Sequence, residues 1–224
     1  MVNINKLLGQ FISSGAATGL AGGVAGGLAS SLITSKSGRK FGKSALKIGG
    51  VAAVGALAYS AFKRYQAKQS LAGTETVKDR NEFSIQPAPV GSAFLPNAND
   101  KSANDTLGLT LIRAMIAASR SDGTMDGRES LLIFQKIETL DLDESSKRLL
   151  VQEMNHPVDM DKLLQSATCP EVAAEIYTAS RIAIGYENMN GQRYLNMLSA
   201  RLGLPPELVA EIDQQIQTSD TIAA

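Results

Sequence analysis

Residues Ile112 to Leu140, IRAMIAASRSDGTMDGRESLLIFQKIETL, set an acidic turn between two apolar helical runs. No other stretch restricts the fold as strongly. Leu111, Met115 and Ala118 recur at helical spacing before the turn, and Leu132, Phe134, Ile137 and Leu140 do so after it. Two helices that bury facing stripes are therefore expected. The turn itself is Asp122-Gly123-Thr124-Met125-Asp126-Gly127-Arg128-Glu129, in which Asp126 and Glu129 have the spacing of an acidic capping box at the positive end of the second helix.

Helix signals continue to the end of the chain. Asp143 with Ser146 starts a helix that must stop near His156, because Pro157 follows. Asp159 opens a short helix containing Leu163 and Leu164, and Pro170 suits the first turn of EVAAEIYTASRIAI. Asn190 is positioned to cap GQRYLNMLSARL, which Gly203 ends, and Pro205 and Pro206 open ELVAEIDQQI. With no alternating stretch to support a strand, the expected class is all-α. The expected body, residues 106–218, is a bundle of about seven helices followed by a tail, 219–224. Met125 to Leu131 can also be laid over Met189 to Leu195, so the body reads as two related helical halves.

The charges divide the chain. Residues 1–74 hold nine Lys/Arg and no Asp or Glu, so this part carries +9 and the remainder −9. Leu7 to Thr34 is uncharged for 28 residues, and Gly15, Gly19, Gly23 and Gly27 fall at strict four-residue spacing. On a helix these glycines form one flat ridge suited to helix contact in lipid and to self-association. Each would cost roughly 1 kcal/mol relative to Ala in water, which makes a flexible tail the competing reading. The basic stretch with Lys36, Arg39, Lys40, Lys43 and Lys47 follows, and then a second apolar run, 48–62. That run reaches only ~22 Å as a helix, short of a ~30 Å hydrocarbon core unless Lys47 and Lys63 snorkel. Residues 1–68 are accordingly expected to form a Gly-rich, membrane-associated helical hairpin touching anionic lipid. The Pro-, Ser- and Asn-containing stretch 69–105 is expected to be a flexible linker. Nucleic acid is not expected as a partner, since only Phe41, Tyr59, Phe62 and Tyr65 in the arm could stack on bases.

Candidate chemistry is sparse. Asp122, Asp126 and Glu129 could hold a divalent cation such as calcium, magnesium or manganese with waters completing the shell. Helix capping alone explains the same residues. An EF-hand is excluded, because Ile133 falls at the position that needs a bidentate Glu. His156, the single histidine, reads as a helix C-terminal residue, and Cys169 excludes an intramolecular disulfide. Without a nucleophile–base pair, no enzyme is expected.

The Asp122-Gly123, Met125-Asp126 and Glu129 pattern between two helices resembles the tellurite-resistance TerB-like helical domain. Over nearly its whole length the chain is similar to a bacterial family of inner-membrane-associated proteins of unknown function, with a glycine-rich basic arm ahead of such a domain. That resemblance implies divalent metal at acidic residues of both halves. Asp122, Asp126 and Glu129 match the first half; Gly185 and Gly191 replace the acidic residues of the second, where Glu187 is the one left nearby. The resulting expectation is a non-enzymatic inner-membrane adaptor, in envelope or metal and tellurite stress, with a cytoplasmic acidic domain that binds a protein partner. The alternative is a soluble metal-dependent stress protein or hydrolase that uses the acidic turn.

Overall fold

A computed structural model describes residues 2–13, 50–70, 85–121, 142–156, 158–184 and 189–221. Among these residues the chain is all-α, with one isolated bridge, Ser92 to Leu95, and no strand. The helices are α1 (Ile4–Ser13), α2 (Gly50–Ser70), α3 (Lys101–Ser119), α4 (Glu144–Asn155), α5 (Met160–Gln165), α6 (Pro170–Ala183), α7 (Met189–Arg201) and α8 (Pro206–Thr221).

Local chemistry sets most of the boundaries. The carboxylates of Asp100, Asp143 and Asp159 accept from backbone N–H groups in the first turns of α3, α4 and α5. Pro170 opens α6 after Cys169, which makes no side-chain cap. The end of α7 is a Schellman turn: Gly203 has φ 66°, its N–H reaches the Ala200 carbonyl, and the Leu204 N–H reaches the Ser199 carbonyl. Asn190, expected as the cap of α7, instead lies within its first turn. His156 follows the last residue of α4, and its Nδ1 lies 2.8 Å from the Gln152 carbonyl, so it closes the helix as the sequence implied.

α6 is the centre of the fold. Every residue from Ala173 to Ile184 is buried, with α3 and α2 packed on it and α7 and α8 beside it. α3 carries α1, α4, α5 and α7. One continuous core runs from Ile4 to Ile216.

That core corrects the expected organisation. The apolar run 48–62 was assigned to a membrane hairpin separate from the body, but its described part lies inside the body, with Val51, Val54, Leu57, Ala58 and Ala61 almost wholly buried against other helices. Its flanking cations are used locally: Lys63 donates to Gln86, and Lys68 pairs with Glu211 of α8. No described helix is long and apolar enough to cross a membrane. α1, also assigned to the arm, buries Leu7, Leu8 and Phe11 against α2 and α3.

Of the expected linker, 69–105, residues 71–84 lie outside the described residues, and the later part is corrected. Residues 85–100 form a folded segment with Ala88, Phe94 and Leu95 buried, and α3 begins at Lys101 rather than Thr106. The Phe94 ring packs edge-to-face on Tyr59 and Phe62 of α2, and the Ser60 hydroxyl accepts the Gln86 N–H at 2.8 Å. The prolines that suggested disorder fix extended backbone here, and the aromatic contacts hold it against α2.

Close helix crossings rest on glycine. A Cβ on Gly50 would meet the Gly9 backbone nitrogen at 2.3 Å, and one on Gly108 would meet Ile4 Cγ2 at 2.6 Å. α1 can therefore sit in the angle between α2 and α3 only because both present bare backbone to it.

Candidate functional site

The residues singled out by sequence fall largely beyond view. Asp122, Asp126 and Glu129 lie outside the described residues, as do Gly15, Gly19, Gly23 and Gly27. The body holds the two ends of the acidic stretch: Ser121 directly after α3, and Leu142, buried ahead of α4. α3 and α4 are joined there by Arg120, whose guanidinium donates to the carbonyls of Met154 and His156 and so satisfies the C-terminal end of α4. Arg113 makes a two-pronged pair with Glu153 at 2.8 Å on each arm, and that hydrogen bond raises the pKa of its guanidinium.

Among the described residues no three His, Cys, Asp or Glu side chains come together as a metal cluster. The chemistry that is described runs along α6. Arg181 is buried; its Nε donates to Asp213 of α8 at 3.2 Å and its Nη1 to the Ile184 carbonyl at 2.6 Å. The Tyr177 hydroxyl donates to the same Asp213 oxygen at 3.2 Å. Burial raises the Asp213 pKa more than Arg181 and Tyr177 lower it. The trio is an internal tie between α6 and α8.

Two turns nearer the start of α6 stands Glu175. It has no exposed surface, and neither carboxylate oxygen has a hydrogen-bond partner. Burial alone pushes its pKa well above the ordinary carboxyl value. Its Oε1 and the Phe94 carbonyl oxygen crowd the same space beside Gly55, where a Cβ would meet them at 3.1 Å and 2.3 Å. Sequence reading passed over Glu175, since EVAAEIYTASRIAI looks like an ordinary amphipathic helix. The one available signal was an acidic residue flanked by Ala-Ala and Ile in a run made almost wholly of small and apolar side chains.

Cys169 is half-buried, and burial pushes its thiol pKa up, so the helix start confers no reactive thiolate. The phenol of Tyr194 is pushed up to about 12 by burial. Tyr177 is fully buried and Tyr194 packs against the core.

A family described as a protein of unknown function, DUF533, matches residues 18–216. The chain belongs to this family. The match runs through the uncharged glycine-rich stretch and ends within α8, so body and stretch are one unit of similarity. The chain is also 27% identical over 107 residues to an uncharacterized protein in the ampR 5′ region of Yersinia enterocolitica, which covers 48% of this chain and 77% of that protein. No solved structure matches the chain.

Proposed function

We infer that this protein is a non-enzymatic adaptor associated with the bacterial inner membrane. Its acidic helical body lies in the cytoplasm and binds a protein partner, and residues 14–49 make the contact with lipid and with a second copy. The observation that carries this reading is the crossing of α1 and α2 at Gly9 and Gly50. Ser13 closes α1 one turn after Gly9 and Gly50 opens α2, so the described residues on either side of 14–49 both belong to this crossing. Residues 14–49 hold Gly15, Gly19, Gly23 and Gly27, followed by five basic residues, Lys36 to Lys47. An uncharged, small-residue limb followed by cations is the pattern expected for shallow insertion and headgroup contact.

The absence of a nucleophile–base pair among the described residues favours a binding role over catalysis. The TerB-like resemblance adds a divalent cation at Asp122, Asp126 and Glu129, with a place in envelope, metal or tellurite stress. Calcium, magnesium or manganese added to the full chain would then raise its melting temperature, and Asp126→Asn would remove that response.

Fractionation tests the membrane reading. The full chain should sediment with inner membranes and be released by detergent but not by high salt. Because α1 and α2 touch at Gly9 and Gly50 and Ser13 lies one helical turn beyond Gly9, a linker of about five Gly/Ser residues, at ~3.3–3.6 Å each, can replace residues 14–49 without pulling α1 away. That variant should be soluble and as helical as the body. Recovery of the full chain in the soluble fraction at low salt without detergent overturns the reading.

A further inference from the structure

We propose that Glu175 is a proton-operated latch: as the neutral acid it donates to the Phe94 carbonyl and seats residues 85–95 on α2, and on ionisation it releases them. A carboxylate with no partner and no water contact is the least tolerable form of this side chain, whereas the acid needs one acceptor. The Phe94 carbonyl is an acceptor that lines the same bare face of Gly55 as Glu175 Oε1.

No neighbouring charge substitutes for the proton. On α6 itself, Arg181 is committed to Asp213 and the Ile184 carbonyl, and Glu171 lies half-buried in the first turn. On α2, Lys63 donates to Gln86, Lys68 pairs with Glu211, and the half-buried Arg64 is engaged as well. On α3, Lys101 pairs with Asp105, and Arg113 with Glu153. On α7, Arg201 pairs with Asp161, leaving Arg193 exposed and the Tyr194 phenol buried. On α8, Glu207 is exposed and Glu211 and Asp213 are paired as above. Burial is the sole cause of the shift at Glu175.

The fold also decides what gives way when the proton leaves. α6 is enclosed by α2, α3, α7 and α8 and cannot turn its Glu175 outward without dismantling the core. Residues 85–95 are irregular, and apart from the Phe94 packing they are held to α2 through Ser60 with Gln86 and Lys63 with Gln86. The hydrated carboxylate therefore displaces this segment first, uncovering Phe94, Leu95 and the aromatic face of Tyr59 and Phe62.

Because the folded pKa is raised above the unfolded one, the latch is complete below the unfolded carboxyl pKa and weakens as pH rises toward and through the folded value. The test is hydrogen–deuterium exchange of the full chain at a series of pH values, corrected for intrinsic rates, together with the infrared carbonyl band of a protonated carboxyl. Between the ordinary carboxyl pKa and the raised folded value of Glu175, protection of the Gly91 and Leu95 amides should fall about tenfold per pH unit and then level off, while that of α7 holds. Glu175→Gln, which keeps a donor, should hold the segment protected at all pH values and delete the infrared band. Glu175→Leu, which has no donor, should leave the segment weakly protected throughout. Three outcomes overturn the latch: no protonated carboxyl band that Glu175→Gln removes, equal pH profiles in wild type and Glu175→Gln, or loss of protection spread evenly over all helices.

Discussion

Replacing Gly50 with Ala tests the reasoning about the α1–α2 crossing most directly. The added methyl would lie 2.3 Å from the Gly9 nitrogen, 2.6 Å from the Leu8 carbonyl carbon and 2.8 Å from the Gly9 Cα. All three are backbone atoms of another helix, so no rotamer change relieves them, and α1 must shift by about an ångström to restore ordinary contact. Leaving altogether is far more costly. α1 buries Leu7, Leu8 and Phe11 completely, and at roughly 1.5–3 kcal/mol for each side chain its undocking would forfeit several kcal/mol. The expected response is a strained shift, costing about 1–3 kcal/mol by analogy with overpacked cores. Against it stands the helix preference of Ala over Gly, up to about 1 kcal/mol and smaller at this first residue of α2. The balance is a net loss of about 1–2 kcal/mol, or roughly 2–8 °C in melting temperature for a chain of this size. Thermal and urea unfolding followed by circular dichroism would measure it. A Gly50→Ala protein as stable as wild type would refute the close crossing.

Arg181→Leu should destabilise the protein by about 3–5 kcal/mol, because it leaves Asp213 partly buried without its cation. The double variant with Asp213→Leu should cost clearly less than the sum of the two single changes, as read by a double-mutant cycle in urea. Gly203→Ala should cost about 1–2 kcal/mol from its φ of 66° alone, since a Cβ there meets nothing within 4 Å. Hydrogen bonds from Ser146 hold the Asp143 pKa down, so its capping contribution is present above the unfolded carboxyl pKa and is lost as pH falls through the lower folded value. Asp143→Asn should flatten that acid limb of the stability profile. Cys169 should react more slowly with a disulfide reagent at neutral pH in the native protein than in urea, and equal rates would contradict its burial.

The local sequence determined the ends of helices. Asp143, Asp159, Pro170, Gly203 and Pro206 each act on backbone groups within a few residues, and their positions could be read without knowing anything further along the chain. The all-α class was legible for the same reason, because 3.6-residue periodicity is a local property. The environment of those helices was decided only by tertiary packing. An apolar run flanked by Lys47, Lys63 and Arg64 reads equally well as a short membrane limb or as a core helix. What decides for α2 is the set of distant residues, from Leu8 and Phe94 to Glu211, that cover it. Residues 85–100, part of the expected linker 69–105, were misread because their packing comes from Tyr59, Phe62 and Ser60, more than twenty positions earlier. Glu175 was invisible for a similar reason: its burial exists only where four other helices close around α6, and no pattern within the helix itself records that closure.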